Sequence, residues 1–298
     1  SPGSKTDCNY SMDTVLILPA LASAFCFGLA LVLTQFGLRT MAPLTGAAIA
    51  VPTTALLFLV ISPLTISWEQ WAISSATTFA AVGLFFPVAV TLLTFSANRR
   101  IGPNLTGTLG NLTPLFAVLL AIALMGESPK ANQGLGIAAI CAGVAFLFAG
   151  RGNGDARPAL WALALPLSAA FLRGIAQPMV KWGLTDWASP FAAVTIGYMV
   201  SAFVMGGVIL SRRDRCDWPT LSRIWWFIAV GIVNGAAVLL LYLALNRGPV
   251  TIVAPLVACY PLLTLILNWL FLGQRIPTRF ALAGIFITVA GVALLLKS

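Results

Sequence analysis

The sequence contains no histidine. It therefore lacks the commonest neutral-pH proton carrier and the commonest metal ligand. Charge is scarce as well: 8% of the residues are charged, against about 25% in a soluble domain. Only 8 residues are acidic. Asp7, Asp13, Glu69, Glu127, Asp155, Asp186, Asp214 and Asp217 all stand in polar stretches or at the ends of apolar runs. No helix interior holds a carboxylate that could exchange protons for a cationic drug. A membrane enzyme would need acidic metal ligands or a nucleophile–base pair within the helices, and neither is present. Cys8, Cys26, Cys141, Cys216 and Cys259 are scattered without CxxC spacing. Three of them lie in apolar runs and read as small core residues. No cofactor and no metal are implied.

What the chain has in abundance is apolar sequence, with 59% hydrophobic residues and a mean hydropathy of +0.97. Runs of membrane-spanning length fall near 14–37, 42–61, 69–95, 103–125, 130–149, 159–182, 188–210, 220–245, 250–272 and 278–296. The expectation is an all-α integral membrane protein with ten transmembrane helices. Short polar or Gly/Pro clusters separate the runs, among them Arg99-Arg100-Ile101-Gly102-Pro103, Gly126-Glu127-Ser128-Pro129 and Gly273-Gln274-Arg275-Ile276-Pro277. Residues 1–13 read as a polar N-terminal tail. The net charge of +9 would suggest nucleic acid in a soluble chain. Here the basic residues sit in short loops, so no nucleic acid is expected and the lipid bilayer is the partner. Eleven of them, including Arg39, Arg99, Arg100, Arg212 and Arg213, crowd one set of loops; five stand on the other side. The positive-inside rule then puts both termini outside the cytoplasm, in a cell inner (plasma) membrane.

The two halves echo each other. Gln35-Phe36-Gly37-Leu38 returns as Lys181-Trp182-Gly183-Leu184, 146 positions later. Ala42-Pro43 is answered by Ser189-Pro190, Asn98-Arg99 by Asn246-Arg247, Gly102-Pro103 by Gly248-Pro249, and Pro114 by Pro261. Gly143-Val144-Ala145 returns as Gly291-Val292-Ala293. The reading is repeat 1 over 14–149, an inter-repeat loop over 150–158 and repeat 2 over 159–298. Five helices per copy is an odd number, so the second copy enters from the opposite side: a 5+5 inverted repeat around a central cavity. Such repeats build secondary transporters with a substrate site near the midplane.

Arg173 is about 12 residues into a run that begins near Trp161, roughly 18 Å deep at ~1.5 Å per residue. A guanidinium there stays charged and needs a partner. Gln177 and Lys181 follow at steps of four, on the same stripe of a helix. The equivalent stripe of the first helix, Phe27, Leu31 and Gln35, is mostly apolar. Arg173 either binds the carboxylate or phosphate of a substrate, or caps carbonyls freed at Pro178, or snorkels. With no helix-interior acid to neutralise it, the counter-anion is expected to be the cargo. Gln177 either binds ligand or makes a helix–helix hydrogen bond, and Lys181 reads as an interfacial anchor. Thr108 and Asn111 in the fourth helix, Tyr260 in the ninth and Asn234 in the eighth complete the candidate wall. Pro87, Pro114, Pro178 and Pro261, with Pro255, fall inside expected helices and are candidate hinges.

The ten runs, the two halves, and the turns Gly126-Glu127-Ser128-Pro129 and Gly273-Gln274-Arg275-Ile276-Pro277 resemble the drug/metabolite transporter superfamily of EamA type. Gly143-Val144-Ala145, Gly291-Val292-Ala293, Pro114 and Pro261 also match. The resemblance implies a carrier of small metabolites, often an exporter of amino acids or related compounds. It also implies a cavity lined by the first, third, fourth, sixth, eighth and ninth helices. Gln274 departs from the second Gly-Glu turn of many members. The expected function is alternating-access transport of a small anionic or zwitterionic metabolite, such as an amino acid or organic acid, by a monomer or weak dimer. Coupling to an ion gradient stays open. The alternative is a lipid or lipid-carrier flippase on the same fold.

Overall fold

The computed structural model of the chain describes residues 4–66, 71–110, 112–149, 160–212, 221–272 and 279–296. Among the described residues all regular structure is helical. In chain order the helices are α1 (Ser4–Leu38), α2 (Pro43–Thr65), α3 (Ile73–Gly83), α4 (Val88–Gly110), α5 (Thr113–Met125), α6 (Ala131–Ala149), α7 (Leu160–Asp186), α8 (Pro190–Ser211), α9 (Leu221–Arg247), α10 (Val250–Val257), α11 (Tyr260–Leu272) and α12 (Arg279–Leu296). Six helical stretches are long and apolar enough to cross a membrane: 15–38, 43–65, 73–101, 161–186, 190–211 and 224–247. Shorter apolar helices cover 113–125, 250–264 and 283–294. The outer surface carries large apolar side chains open to the surroundings, with Leu64 89%, Phe286 79% and Phe203 75% exposed. Such a surface is stable in lipid and not in water, so this is an integral membrane protein.

Proline sets several helix starts. Pro43 and Pro190 open α2 and α8, where the missing N–H would have had no intrahelical partner. Ser189 caps α8, its Oγ accepting from the Ala192 N–H at 3.3 Å.

The sequence reading needs four corrections. Helix α1 starts at Ser4, so residues 4–13 extend it instead of forming a separate tail. The expected loop at 99–103 is helical, because the φ of Pro103 suits a helix and only one backbone donor is lost. The helical run breaks further on at Leu112, as it does in the second half at Ala258 and Cys259. Pro114 and Pro261 consequently stand in the first turns of α5 and α11, not in mid-helix, and Pro87 ends the turn at 84–87 between α3 and α4. Pro178 and Pro255 do lie within helices, as do Pro19, Pro52, Pro63 and Pro166.

Helices of one half pack mainly on helices of the other. The pairs are α1 with α9, α2 with α8, α4 with α7, α5 with α10, and α6 with α12. Individual contacts recur between the halves. Thr54 Oγ1 donates to the Gly231 carbonyl at 2.6 Å, and Ser201 Oγ donates to the Gly83 carbonyl at 2.6 Å. Position 54 plus 147 is 201, and 83 plus 148 is 231. A Cβ on Gly231 would lie 2.6 Å from the Ala50 oxygen, and one on Gly83 would lie 2.7 Å from the Gly197 oxygen. Gly37 abuts the Phe227 ring as Gly183 abuts the Phe79 ring. Gly143 abuts Thr288 and the Gly284 oxygen, as Gly291 abuts Ile140 and the Gly136 oxygen. Small residues at these points let the helices approach closely, backbone to backbone at Gly83, Gly143, Gly231 and Gly291, which is how membrane helices associate without a hydrophobic drive.

Candidate functional site

The helices enclose a cavity of about 460 Å³. Its walls come from α1, α2, α4, α5, α7, α8, α9, α10 and α11. On α1 the lining runs from Phe27 to Gln35, on α7 from Pro166 to Gln177, and on α9 from Val230 to Leu241. The lining therefore lies in the second half of α1 and near mid-length on α7 and α9. The end of the bundle where α7 and α9 finish is filled by buried Leu16, Phe79, Trp187, Leu245 and Val250.

Helix α7 supplies the charge. Arg173 is the middle residue of Leu160–Asp186, about 20 Å from either end at ~1.5 Å per residue. Its neighbour Gly174 lets α7 approach α5: a Cβ there would sit 2.6 Å from Phe116 Cβ. Phe116 and Phe171 pack edge to face at 5.4 Å. With that side of α7 locked on α5, Arg173 lines the cavity half-buried. The guanidinium has no hydrogen-bond or ion-pair partner among the described residues. Gln177, one turn on, is 4% exposed, lines the same wall, and its Oε1 has no donor among the described residues. Lys181 is turned elsewhere: its Nζ donates to the Leu245 carbonyl at 2.6 Å, and it does not line the cavity.

Two helix breaks border the same space. Gly110, Thr113 and Pro114 line it at the first, and Val257, Ala258, Tyr260 and Pro261 at the second. Thr113 Oγ1 donates to the Gly110 carbonyl at 2.7 Å, satisfying one acceptor released by the break. Tyr260 packs against Phe27, ring centroids 6.4 Å apart. Asn234 also lines the cavity and donates through Nδ2 to the Tyr198 hydroxyl at 3.2 Å. Asn111 lies outside the described residues, as does the side chain of Thr108. Of the candidate hinges, Pro87, Pro114 and Pro261 line the cavity and Pro178 does not.

The sequence reading passed over several lining residues. Thr91, Thr94 and Asn98 form a polar stripe on α4 at spacings of three and four. That periodicity in an otherwise apolar helix was the available signal. Thr106 lines the wall at 5% exposure with an unpartnered hydroxyl, and Tyr198 enters from α8.

The Gly-Glu turn proves structural. Gly126 closes α5 with φ +66°, a conformation that suits glycine. The Glu127 carboxylate then accepts from the Val250 and Thr251 N–H groups, both at 2.9 Å. It caps α10 of the other half, where an anion meets the positive end of the helix dipole.

Comparison with known proteins agrees with this architecture. The sequence profile of the EamA-like transporter family matches residues 14–149 and again 160–297. No curated protein matches significantly. Among solved structures 29 chains match. One crystal structure superposes with a TM-score of 0.75 over 95% of this chain and 96% of its own, at 18% identity, a likeness of fold alone. Two successive matches to one transporter profile, on helices that pack half against half around a shared cavity, place the chain in a family: it belongs to the EamA-like transporters.

Proposed function

We propose that this transporter carries a small anionic or zwitterionic metabolite by alternating access, in the direction of export. The observation that carries the reading is Arg173: a permanent cation at mid-helix, on the wall of the cavity, without a partner among the described residues. An unpaired guanidinium in a low-dielectric site is costly, and a bound anion removes that cost. Gln177, Tyr260 and Asn234 line the same cavity and complete the candidate site. Asn111 and Thr108 remain candidates on α4 and its break.

The reciprocal contacts of Thr54, Ser201 and the paired glycines support a 5+5 inverted repeat of ten spans. In such a repeat, rocking one half against the other exposes the site to each side in turn. Taken with the basic loops, both termini lie outside the cytoplasm. Packing around Trp187 and the Glu127 cap closes the outer end. The functional unit on this reading is a monomer or weak dimer.

Transport into proteoliposomes of amino acids and organic acids tests this. Arg173→Ala is expected to abolish uptake of the substrate while the protein still folds and inserts, and Arg173→Lys to retain a fraction. Unchanged transport of every substrate by Arg173→Ala would overturn the role.

A further inference from the structure

We infer that the site selects a monocarboxylate carrying a neutral hydrogen-bond donor beside the carboxylate, a 2-hydroxy acid with an apolar body, over the matching amino acid. The inference rests on the anion reading above. Arg173 is the one charged residue among the described lining residues. The acids whose side chains the structure describes are engaged elsewhere. Glu127 caps α10, and Asp186 is at the end of α7 beside Ser74 and Thr185. A substrate ammonium would thus enter a cavity that already holds a cation and offers no described carboxylate.

Gln177 sets the second requirement. It stands four residues from Arg173 on the same helix face. An amide presents one acceptor and one NH₂ whichever way it is turned. A carboxylate satisfies the guanidinium and the NH₂, but cannot donate to the amide oxygen. That oxygen is buried and unpartnered, as is the Thr106 hydroxyl, and a ligand donor reaches it once the Gln177 side chain, which lines the cavity, turns. A hydroxyl on the carbon next to the carboxylate supplies the missing donor without adding charge. Phe27, Leu31, Phe86 and Phe95 give the remaining body apolar walls.

The test is calorimetric binding at pH 7 to the purified full chain in nanodiscs. The ligands are 2-hydroxy-3-phenylpropanoate, 3-phenylpropanoate, phenylalanine and 2-phenylethylamine. The hydroxy acid is expected to bind tightest. The deoxy acid should be about tenfold weaker, the penalty for leaving the amide oxygen unmade. Phenylalanine should be weaker by about tenfold or more. Gln177→Leu should weaken the hydroxy acid and bring the hydroxy and deoxy acids within about twofold of each other. Phenylalanine binding as tightly as the hydroxy acid would overturn this inference and leave the anion reading standing. So would equal affinities of the hydroxy and deoxy acids in the parent protein. Binding of the amine alone, or of no anion by folded protein, would overturn both.

Discussion

The sharpest structural prediction concerns Gly83 and Gly231, one in each half. A Cβ on Gly83 would come within 2.7 Å of the Gly197 oxygen, and one on Gly231 within 2.6 Å of the Ala50 oxygen. Ordinary contact begins near 3.4 Å, so the overlaps are 0.7 and 0.8 Å. The obstacle is backbone in both places, which cannot swing aside as a side chain would. Separating the helices strains the packing by about 1–3 kcal/mol. It also stretches the Ser201 and Thr54 hydrogen bonds, both 2.6 Å long, worth about 0.6 kcal/mol each in membrane helices. The gain in helix propensity from Gly to Ala offsets roughly 0.5–1 kcal/mol. The net expectation is a loss of about 2 kcal/mol for Gly83→Ala, and nearly the same for Gly231→Ala. Gly206 in α8 has no atom within 4 Å of its would-be Cβ. Gly206→Ala should therefore be neutral or stabilising by up to about 1 kcal/mol. Equilibrium unfolding in SDS, followed by tryptophan fluorescence, reads all three. Equal destabilisation at Gly206 and Gly83, or none at Gly83 and Gly231, would refute the packing.

Other perturbations separate the remaining contacts. Glu127→Gln keeps one acceptor for the two N–H groups of α10 and should cost about 1 kcal/mol in the same unfolding assay; an unchanged midpoint would remove the cap from the account. Trp187 is fully buried with an unpartnered Nε1. Trp187→Phe should therefore cost under about 1 kcal/mol and Trp187→Ala about 3–5 kcal/mol; similar losses would mean the indole N–H matters. Arg39 and Thr185 are exposed at opposite ends of the bundle. In a cysteine-free background, a membrane-impermeant thiol reagent on intact cells should label Thr185→Cys and spare Arg39→Cys. The reverse pattern would invert the orientation.

Parts of this structure were legible in one dimension. Long apolar runs gave most helices, because in lipid every backbone polar group must be satisfied within its own segment. Arg173 stood out because charge is rare in such runs. The offsets near 147 between the halves marked the places where Gly37 meets Phe227 and Gly183 meets Phe79. Helix breaks were harder to read. Pro103 sits in a continuous helix while Pro114 and Pro261 begin new ones, since a proline only forbids hydrogen bonding on one side and tertiary packing decides the rest. Glu127 looked like a turn residue because its partners, Val250 and Thr251, are more than 120 positions away. Tyr198 and Thr106 have no local signal; only the crossing of α4, α8 and α9 brings them to the cavity.

The central claim is that a fixed positive charge in the cavity holds the cargo by its negative group. The direct measurement is the melting temperature of the purified protein with paired ligands of one shape and opposite charge, 3-phenylpropanoate against 3-phenylpropylamine, for the parent chain and for Arg173→Gln. The account predicts that the carboxylate raises the melting temperature of the parent chain, that the amine does not, and that the carboxylate's effect disappears in the variant. Stabilisation by the amine, or a carboxylate effect that survives Arg173→Gln, would contradict it.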